Sequence, residues 1–373
     1  MLTTFAANGA TETFVALEAP VGLSFDDSLR ELFRAYDSAI GEVGLKRDSA
    51  VVWRFHVSDI FTQTQSLRKH LEDHGSAVFT SVVEQPPASS SKLALEAYHI
   101  GVPDGRVERE LCRGGLLVRH GAYRSLWGKV LPNHKAPSAG QTTDIFDSLA
   151  AILREHGGTV RDNVMRTWIY VRDIDNNYQG MVDARREWFA DAGMTRDTHY
   201  IASTGIEGSA ERPSDLVQTD YLAVLGLSPE QVEHMGVLTH MSPTHDYGVT
   251  FERATRITYG DRSHYYVSGT ASIDRHGKVV YIGDVIRQTE HTMENIRALL
   301  DTGGARFDDL KLLVVYLRDC SDYLPVRDYL AAHIPPSVAY VLARGAVCRP
   351  TWLVEMDGIA VTAGGDSRFP AFC

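Results

Sequence analysis

Cysteine is scarce in this sequence, and its few cysteines form no recognisable pattern. The four cysteines are scattered over 373 residues without a CxxC pair, at Cys112, Cys320, Cys348 and Cys373. Disulfide frameworks and structural zinc sites need cysteines that are paired or clustered. We therefore expect reduced thiols and a cytoplasmic protein rather than a disulfide-stabilised secreted one.

Long apolar runs, targeting signals and nucleotide-binding motifs are also missing. No stretch reaches the roughly 18 consecutive apolar residues of a membrane helix, so we expect no membrane span. The beginning, MLTTFAANGATETF, lacks a basic segment followed by an apolar one, and we expect no secretory signal. G-x-G-x-x-G and P-loop patterns are absent, so the sequence predicts no nucleotide cofactor.

Positive charge is in deficit, with a formal net charge of -11. A general nucleic-acid-binding protein would present a basic face, so the composition excludes that class. A small anionic ligand is compatible with the charge, because a local arginine pocket can override the global field. The 44% apolar and 23% charged residues are typical of a soluble globular protein with a sizeable core.

The histidines predict no metal site. His70 and His74 have the i, i+4 spacing of helical zinc ligands, but no third ligand lies within sequence reach. We interpret this pair as a solvated helix end and expect no bound metal.

The chain repeats itself. Residues 157–173, GGTVRDNVMRTWIYVRD, align without gaps with residues 303–319, GGARFDDLKLLVVYLRD. A fainter copy covers residues 42–60. Each of the two clearer copies follows a helical pattern that ends at glycine and precedes an apolar strand, so the repeat predicts β-α-β units.

The closing strands of the units repeat as well. Residues 211–224, ERPSDLVQTDYLAV, align with residues 348–361, CRPTWLVEMDGIAV, and residues 94–102 supply the N-terminal counterpart. The sequence therefore predicts three units of similar plan, of which the first is the most divergent. Their predicted extents are residues 1–112, 113–230 and 231–373.

The last predicted strand carries two carboxylates, Glu355 and Asp357, on one face, because strand side chains alternate. Asp357 aligns with an acid in both other copies, which indicates an architectural role. Glu355 aligns with no acid, as expected if one cleft alone is catalytic; a structural carboxylate is the alternative. The aligned residues are Asp220 and Glu96 for Asp357, and Gln218 and Ala94 for Glu355.

Several of these motifs resemble the RidA (YjgF) family. They are the SGTASID turn at residues 268–274, the VVYLRD strand and the closing VEMDGIAV strand. Over the whole length, the ending VCRPTWLVEMDGIAV and the divergent first copy resemble the chorismatases. The resemblance implies an α/β (α+β) fold, in which RidA-like units of a mixed sheet backed by helices are fused into a monomeric pseudo-trimer with ligand clefts between units.

The resemblance also implies a function. Chorismatases hydrolyse the enolpyruvyl ether of chorismate, release pyruvate and supply secondary metabolism, including antibiotic biosynthesis, without a cofactor. A cysteine before the Arg-Pro turn is similar to the subtype that forms 3-hydroxybenzoate. Two alternatives stay open: hydrolysis to a dihydroxycyclohexadiene carboxylate, and a RidA-type enamine or imine deaminase or ligand-binding module.

Candidate site residues follow from this chemistry. Cleavage of an enol ether begins with protonation of its methylene carbon, and we expect burial on an apolar strand to give Glu355 the raised pKa that a general acid needs. We expect Cys348 to assist aromatisation with a pKa moved toward neutrality by Arg349; a buried structural thiol is the alternative. Arginines bind the two carboxylates. The remaining substrate-binding candidates are Arg349, Arg212, Arg166, Tyr170, Tyr200, Gln218, Tyr221 and Gly269 of the SGTASID turn.

Overall fold

The chain folds into three mixed β-sheets, each formed by one stretch of sequence. The structure, a computed structural model, describes residues 1–72, 77–103 and 107–373. The N-terminal unit begins with a hairpin, and two helices alternate with its later strands. Its elements are β1 Leu2–Ala7, β2 Ala10–Glu18, α1 Phe25–Glu42, β3 Ala50–Val57, α2 Ile60–Glu72, β4 Phe79–Glu84 and β5 Leu93–Gly101.

The central unit has the same element order with two additions. Its elements are β6 Glu108–Cys112, β7 Gly115–His120, β8 Tyr123–Val130, α3 Ser138–Glu155, α4 Val160–Asn163, β9 Val164–Val171, α5 Ile174–Asp191, β10 Ala202–Glu207 and β11 Val217–Leu225. An extra strand, β6, precedes its hairpin, and an extra short helix, α4, precedes β9.

The C-terminal unit also has an extra strand before its hairpin. Its elements are β12 Val232–Met235, β13 Ala254–Thr258, β14 Ser263–Ala271, α6 Val285–Thr302, β15 Leu310–Leu317, α7 Tyr323–His333, β16 Ala339–Arg344 and β17 Val354–Thr362. Short 3-10 turns connect some elements, at Arg47–Ser49, Pro229–Gln231, Thr244–Tyr247, Phe307–Asp309 and Cys320–Asp322.

The strand order is the same in the three sheets, which confirms the prediction of three repeated α/β units. It is β1-β2-β5-β3-β4, β7-β8-β11-β9-β10 and β13-β14-β17-β15-β16, with β6 and β12 added at sheet edges. The strand registers also reproduce the sequence alignment of the copies. In the three sheets Arg54 lies opposite Glu96, Trp168 opposite Asp220, and Val314 opposite Asp357.

Helices cover one face of each sheet because their apolar residues recur at helical spacing. In α3, for example, Ile145, Leu149 and Ile152 are buried on one side. α1 contacts β5, α3 contacts β11 and α6 contacts β17. The opposite sheet faces point inward, where residues of all three units form one apolar core.

The units close into a ring through equivalent strands. β4 of the N-terminal unit contacts β8 of the central unit, β10 contacts β14 of the C-terminal unit, and β16 contacts β2. Each interface therefore pairs the last parallel strand of one unit with the second hairpin strand of the next. This arrangement is a pseudo-trimer within one chain.

A buried network of charges joins the units where their sheets meet. Arg54 donates to Glu96 of its own unit at 3.3 Å and to Asp220 of the central unit at 3.2 Å. Arg166 of the central unit pairs with Asp357 of the C-terminal unit at 3.3 Å. We call these five residues the axial network.

Aromatic stacking supports the axial network. The guanidinium carbons of Arg54 and Arg166 lie 4.4 and 4.7 Å from the centre of the Trp168 ring, one cation–π contact each. The acid that all three copies share thus lies at the junction of the units, which supports its interpretation as architectural.

The unit boundaries remain a prediction, but the strand pairing bears on the one at residue 113. β6 pairs with β7 and so belongs to the central sheet, although it precedes the predicted boundary at residue 113. Among the described helices, none is long and apolar enough to cross a membrane.

Replacing Arg54 with leucine should destabilise the fold by about 3–5 kcal/mol, because two buried carboxylates would lose their cation. Urea denaturation of the variant measures this loss. Arg306→Leu is the matched control, since the Arg306 side chain is 77% exposed in its pair with Asp308 and exposed pairs contribute at most about 1 kcal/mol. Equal effects of the two substitutions would contradict a structural role for the axial network.

Candidate active site

A cavity of about 280 Å³ lies in the cleft between the central and C-terminal units. The central unit contributes side chains of α5 and β10, including Tyr178, Arg185 and Ser203. The C-terminal unit contributes β14, β17 and the turn that carries Cys348 and Arg349. The cavity is close to the lower end of the volumes of small-molecule sites, about 300–1,000 Å³.

Glu355 is placed in this cavity by an irregularity in the neighbouring strand. The register of β14 against β17 shifts between Val267 and Thr270, which is a β-bulge. The equivalent strands β8 and β11 pair without a shift at the corresponding positions. Gly269 lies at the bulge, and a Cβ atom there would approach Glu355 Oε1 to 2.2 Å. Glycine at this position therefore makes room for the carboxyl.

Glu355 is 5% exposed, and its environment favours the neutral acid. Burial, followed by the nearby charge of Asp357, raises its pKa to about 8, although Arg166 and Arg253 act in the opposite direction. A carboxyl of this kind keeps its proton at neutral pH and can donate it to a bound molecule.

Asp357, on the same face of β17 as Glu355, is held by hydrogen bonds from two neighbouring side chains. Its Oδ2 atom accepts hydrogen bonds from Thr204 Oγ1 at 2.7 Å and Tyr316 OH at 3.1 Å. Burial raises the pKa of Asp357 despite the opposing charge of Arg166. Arg166 lies behind the cavity in the axial network, so it contacts Asp357 rather than lining the site.

Arginines surround the cavity on both sides. Arg185 of α5 is 2% exposed, and its Nη1 lies 3.4 Å from Ser203 Oγ. Arg253 precedes β13, and its Nη2 donates to the carbonyl of Ser242 at 2.9 Å. Two buried cations thus face one small cavity, which suits an anionic ligand.

Two further arginines line the rim. Arg186 follows Arg185 on α5 and pairs with Asp183 at 2.8 Å. Arg349 donates to the carbonyl of Gly277 at 3.1 Å and lies 4.6 Å from the centre of the Trp352 ring. The predicted binding residue Arg349 is therefore at the cavity.

Cys348 also lines the cavity, but its surroundings do not favour the predicted acidity. Burial and the charge of Glu355 raise the thiol pKa to about 12, and the neighbouring Arg349 lowers it too little to compensate. Tyr178 forms a hydrogen bond with the sulfur. These surroundings therefore favour the neutral thiol over the thiolate.

Arg212 lies in a different cleft from the one predicted. It is the counterpart of Arg349, and the pseudo-threefold arrangement places counterparts in different clefts. Its Nε pairs with Asp215 at 2.7 Å and its Nη2 donates to the Pro132 carbonyl. Its neighbour Glu211 lines the cleft between the N-terminal and central units.

The remaining predicted side chains do not line the cavity. Tyr170 is 1% exposed and lies among the charges of the axial network. Gln218 donates to Ser81 Oγ at 3.3 Å, inside the junction with the N-terminal unit. Tyr221 points toward the helix side of its sheet, where its hydroxyl donates to the Gly114 carbonyl at 3.2 Å. Tyr200 lines a second cavity that adjoins the first.

Sequence reasoning missed Arg185, Arg186 and Arg253. A signal for Arg185 exists: it lies on α5 at helical spacing from the buried residues Met181 and Phe189, and an arginine on such an apolar face is rare unless it has a partner or ligand. Arg253 follows a loop and has no such pattern. Its place depends on how that loop packs.

No group of three or more histidine, cysteine or acidic residues is positioned to hold a metal within the described ranges. His74, one of the two helical histidines considered above, lies outside the described residues.

The C-terminal unit has recognisable relatives. The endoribonuclease L-PSP family matches residues 256–362. Over 97 residues the chain is 32% identical to the 3-aminoacrylate deaminase RutC of Acinetobacter baylyi, which covers 26% of this chain and 76% of RutC. The chain belongs to the endoribonuclease L-PSP family.

Solved structures extend the similarity in fold. A crystal structure of a chorismatase matches with a TM-score of 0.67 and 20% identity, over 93% of this chain and 98% of that one. RidA from an Antarctic Psychrobacter species covers 35% of this chain and 99% of its own at 20% identity, with a TM-score of 0.30. The chorismatase match confirms the predicted fold of three RidA-like units in one chain.

Replacing Glu355 with glutamine should change the pH dependence of stability. Because the folded pKa of about 8 lies above the unfolded value of about 4.3, ionisation destabilises the wild-type fold. The penalty is absent below the unfolded pKa, grows as pH rises, and is complete above the folded pKa. The variant lacks this penalty, so its stability relative to wild type should increase by several kcal/mol, on the order of 4, from pH 4 to pH 9.

Urea denaturation of both proteins at several pH values measures this difference. Glu290→Gln, at an exposed position of α6, is the matched control and should give a constant difference. A constant difference for Glu355→Gln as well would show that the carboxyl ionises normally in the folded protein.

Proposed function

We propose that the chain is a chorismatase that cleaves the enolpyruvyl ether of chorismate to pyruvate and 3-hydroxybenzoate. The observation that carries this proposal is a carboxyl with a pKa of about 8 in a cavity that four arginines line. Chorismate has two carboxylates and an enol ether, so it needs both cations and a proton donor. The similarity in fold to a chorismatase over 93% of the chain supports the same reaction.

The two units divide the work of binding. Arg185 and Arg186 come from the central unit, and Arg253 and Arg349 from the C-terminal unit. Cations on opposite walls can hold two carboxylates of one ligand and so fix its direction in the cleft. Arginine suits this role because it stays charged when buried and binds carboxylates in a planar, bidentate manner.

Glu355 supplies the proton in the proposed reaction. Its carboxyl protonates the terminal methylene carbon of the enolpyruvyl group, which creates an oxocarbenium ion and leaves Glu355 as a carboxylate. Water attacks the cationic carbon, and the resulting hemiketal collapses to pyruvate and the ring alcohol. The negative charge of Glu355 then stabilises the cation and accepts a proton from the attacking water.

Formation of 3-hydroxybenzoate requires one further step. The dihydroxycyclohexadiene carboxylate left by ether cleavage loses one hydroxyl and one ring hydrogen as water and becomes aromatic. The neutral thiol of Cys348 is suited to donate a hydrogen bond to the departing hydroxyl oxygen. Without that step the diene acid itself would be the product, which is the alternative within the same activity.

Enamine hydrolysis is a second candidate, favoured by the 32% identity to a 3-aminoacrylate deaminase over 97 residues. The first step is related, since an enamine is also hydrolysed through protonation of carbon. A small monocarboxylate needs one cation, however, whereas arginines from two units line this cavity. The charge of the cavity therefore favours the dianion.

Purified protein incubated with chorismate alone should release pyruvate, and Glu355→Gln should reduce the rate by about 10²–10⁴-fold, the usual contribution of general acid catalysis. The variant keeps the shape of the side chain but has no transferable proton. Mass spectrometry identifies both products. The Glu290→Gln control should match wild type.

Parallel incubation with 3-aminoacrylate separates the two candidates. Turnover of 3-aminoacrylate without turnover of chorismate would reject the chorismatase assignment in favour of a deaminase. Unchanged chorismate turnover in Glu355→Gln would reject Glu355 as the acid.

Cys348→Ala should leave pyruvate release within a fewfold of wild type but shift the ring product from 3-hydroxybenzoate toward the diene acid. The thiol acts after ether cleavage in this scheme, so its loss affects the later step. Cys348→Ser, which keeps a hydrogen-bond donor, should retain more of the aromatic product. Chromatography gives the ratio, and an identical ratio in all three proteins would reduce Cys348 to a packing role.

A further inference from the structure

Arg253 reaches the active-site cavity from a loop, so contacts outside the regular strands fix its position. The segment just before β13 runs beside β10 of the central unit. Ala202 and Glu252 form a parallel bridge there, and the backbone N–H of Glu252 donates to the carbonyl of Ile201 at 3.2 Å. A loop of the C-terminal unit is thus attached to the opposite wall of the cleft, one residue before the arginine.

The side chain of Glu252 makes a second bond to the same wall. Its carboxylate accepts a hydrogen bond from the backbone N–H of Tyr200 at 2.8 Å, next to the backbone bond at Ile201. Hydrogen bonds to an ionised group are roughly twice as strong as neutral ones. Because the two bonds end on consecutive residues, they fix both the position and the rotation of the segment that carries Arg253.

Ser268 connects this segment to other residues of the cavity. Its hydroxyl donates to the carbonyl of Glu252 at 2.6 Å and accepts from the backbone N–H of Ser203 at 2.9 Å. Its own backbone N–H donates to the carbonyl of Arg253 at 2.9 Å, and it precedes Gly269 of the β-bulge. Bonds around Glu252 therefore reach the backbone beside three residues that line the cavity, namely Ser203, Arg253 and Gly269.

The carboxylate of Glu252 itself lies outside the active-site cavity. Glu252 lines the adjoining second cavity, whereas Arg253 lines both. An effect of Glu252 on a ligand beside Glu355 must therefore pass through the arginine. The arginine is held at two points: its backbone by the Glu252 segment, and its guanidinium by the bond from Nη2 to the carbonyl of Ser242 at 2.9 Å.

We propose that Glu252 is a positioning residue for Arg253, which it holds where the guanidinium binds a carboxylate of the substrate. This inference rests on the proposed function, because that reaction gives Arg253 a carboxylate to bind. A cation of the C-terminal unit that is bonded to the central unit also keeps the cleft at a fixed width. The distance between the arginines of the two units is thereby matched to one ligand.

Steady-state kinetics of chorismate cleavage tests the proposal. Glu252→Ala should raise KM about tenfold, the loss expected for a hydrogen bond to a charged group, and should change kcat little, because Arg253 binds substrate and transition state alike. Glu252→Gln keeps an oxygen that accepts the Tyr200 N–H, so it should recover most of the lost affinity. Glu233→Ala is the matched control, since that side chain is 53% exposed in its pair with Arg256, and it should match wild type.

A double-mutant cycle tests whether Glu252 acts through Arg253. Once Arg253→Leu has removed the cation, adding Glu252→Ala should raise KM no further, because residues that share one role are not additive. The alkaline fall of kcat/KM should move to higher pH in both single variants, since the charge of Arg253 opposes the effect of burial on the pKa of Glu355. Effects on KM that multiply, or an alkaline fall that moves in Arg253→Leu alone, would overturn the proposal.

Hydrogen exchange of the full-length variants, followed by mass spectrometry, gives a readout that needs no substrate. Peptides that contain residue 200 or residues 250–254 should exchange faster in Glu252→Ala than in Glu252→Gln, while peptides of β9 exchange alike. Thermal melting confirms that each variant is folded. Equal exchange in the two variants, or faster exchange with an unchanged KM, would overturn the proposal. A wild-type protein that does not cleave chorismate would reject the proposed function, and faster exchange in Glu252→Ala alone would still assign the placement of the Arg253 segment to this carboxylate.

Discussion

The arrangement of carboxylates around the pseudo-threefold axis is the constraint on which the rest of the structure depends. Each unit brings one acid to the junction. Arg54 pairs with Glu96 of its own unit and with Asp220 of the central unit, and Arg166 pairs with Asp357 of the C-terminal unit. The same charges reach the cavity, because Asp357 raises the pKa of Glu355 while Arg166 opposes it. A single strand, β17, therefore carries both the acid that helps to join the units, Asp357, and the carboxyl that stays protonated, Glu355.

Divergence of the copies explains why one cleft is suited to chemistry. In the cleft between the N-terminal and central units, Leu71 and Glu211 occupy the positions of Arg185 and Cys348, and Gln218 replaces Glu355. Glu211 there forms an ion pair with Arg68. The β-bulge at Gly269 is likewise specific to β14. These two equivalent clefts thus share a frame but not a set of functional groups.

Sequence reasoning found the features that depend on local order. The repeat offsets reproduce the strand registers, because gapless repeats of a strand pair preserve which residues lie opposite each other. Glu355, Gly269, Cys348 and Arg349 line the cavity, since they lie on β17, its preceding turn and the adjoining strand. Features that depend on how the units assemble were harder to predict from the sequence. Arg212 was assigned to the wrong cleft because the pseudo-symmetry rotates it away, and Arg253 is positioned by a loop whose packing no periodicity reveals.

The central claim is that Glu355 enters the reaction as a neutral acid, and the pH dependence of kcat/KM for chorismate cleavage tests it most directly. This ratio reports the ionisation of the free enzyme. A group with a pKa of about 8 predicts a constant value below pH 7 and a tenfold fall for each pH unit above about 8 to 9. A kcat/KM that stays constant to pH 10, or that rises with pH between 5 and 8, would contradict the account.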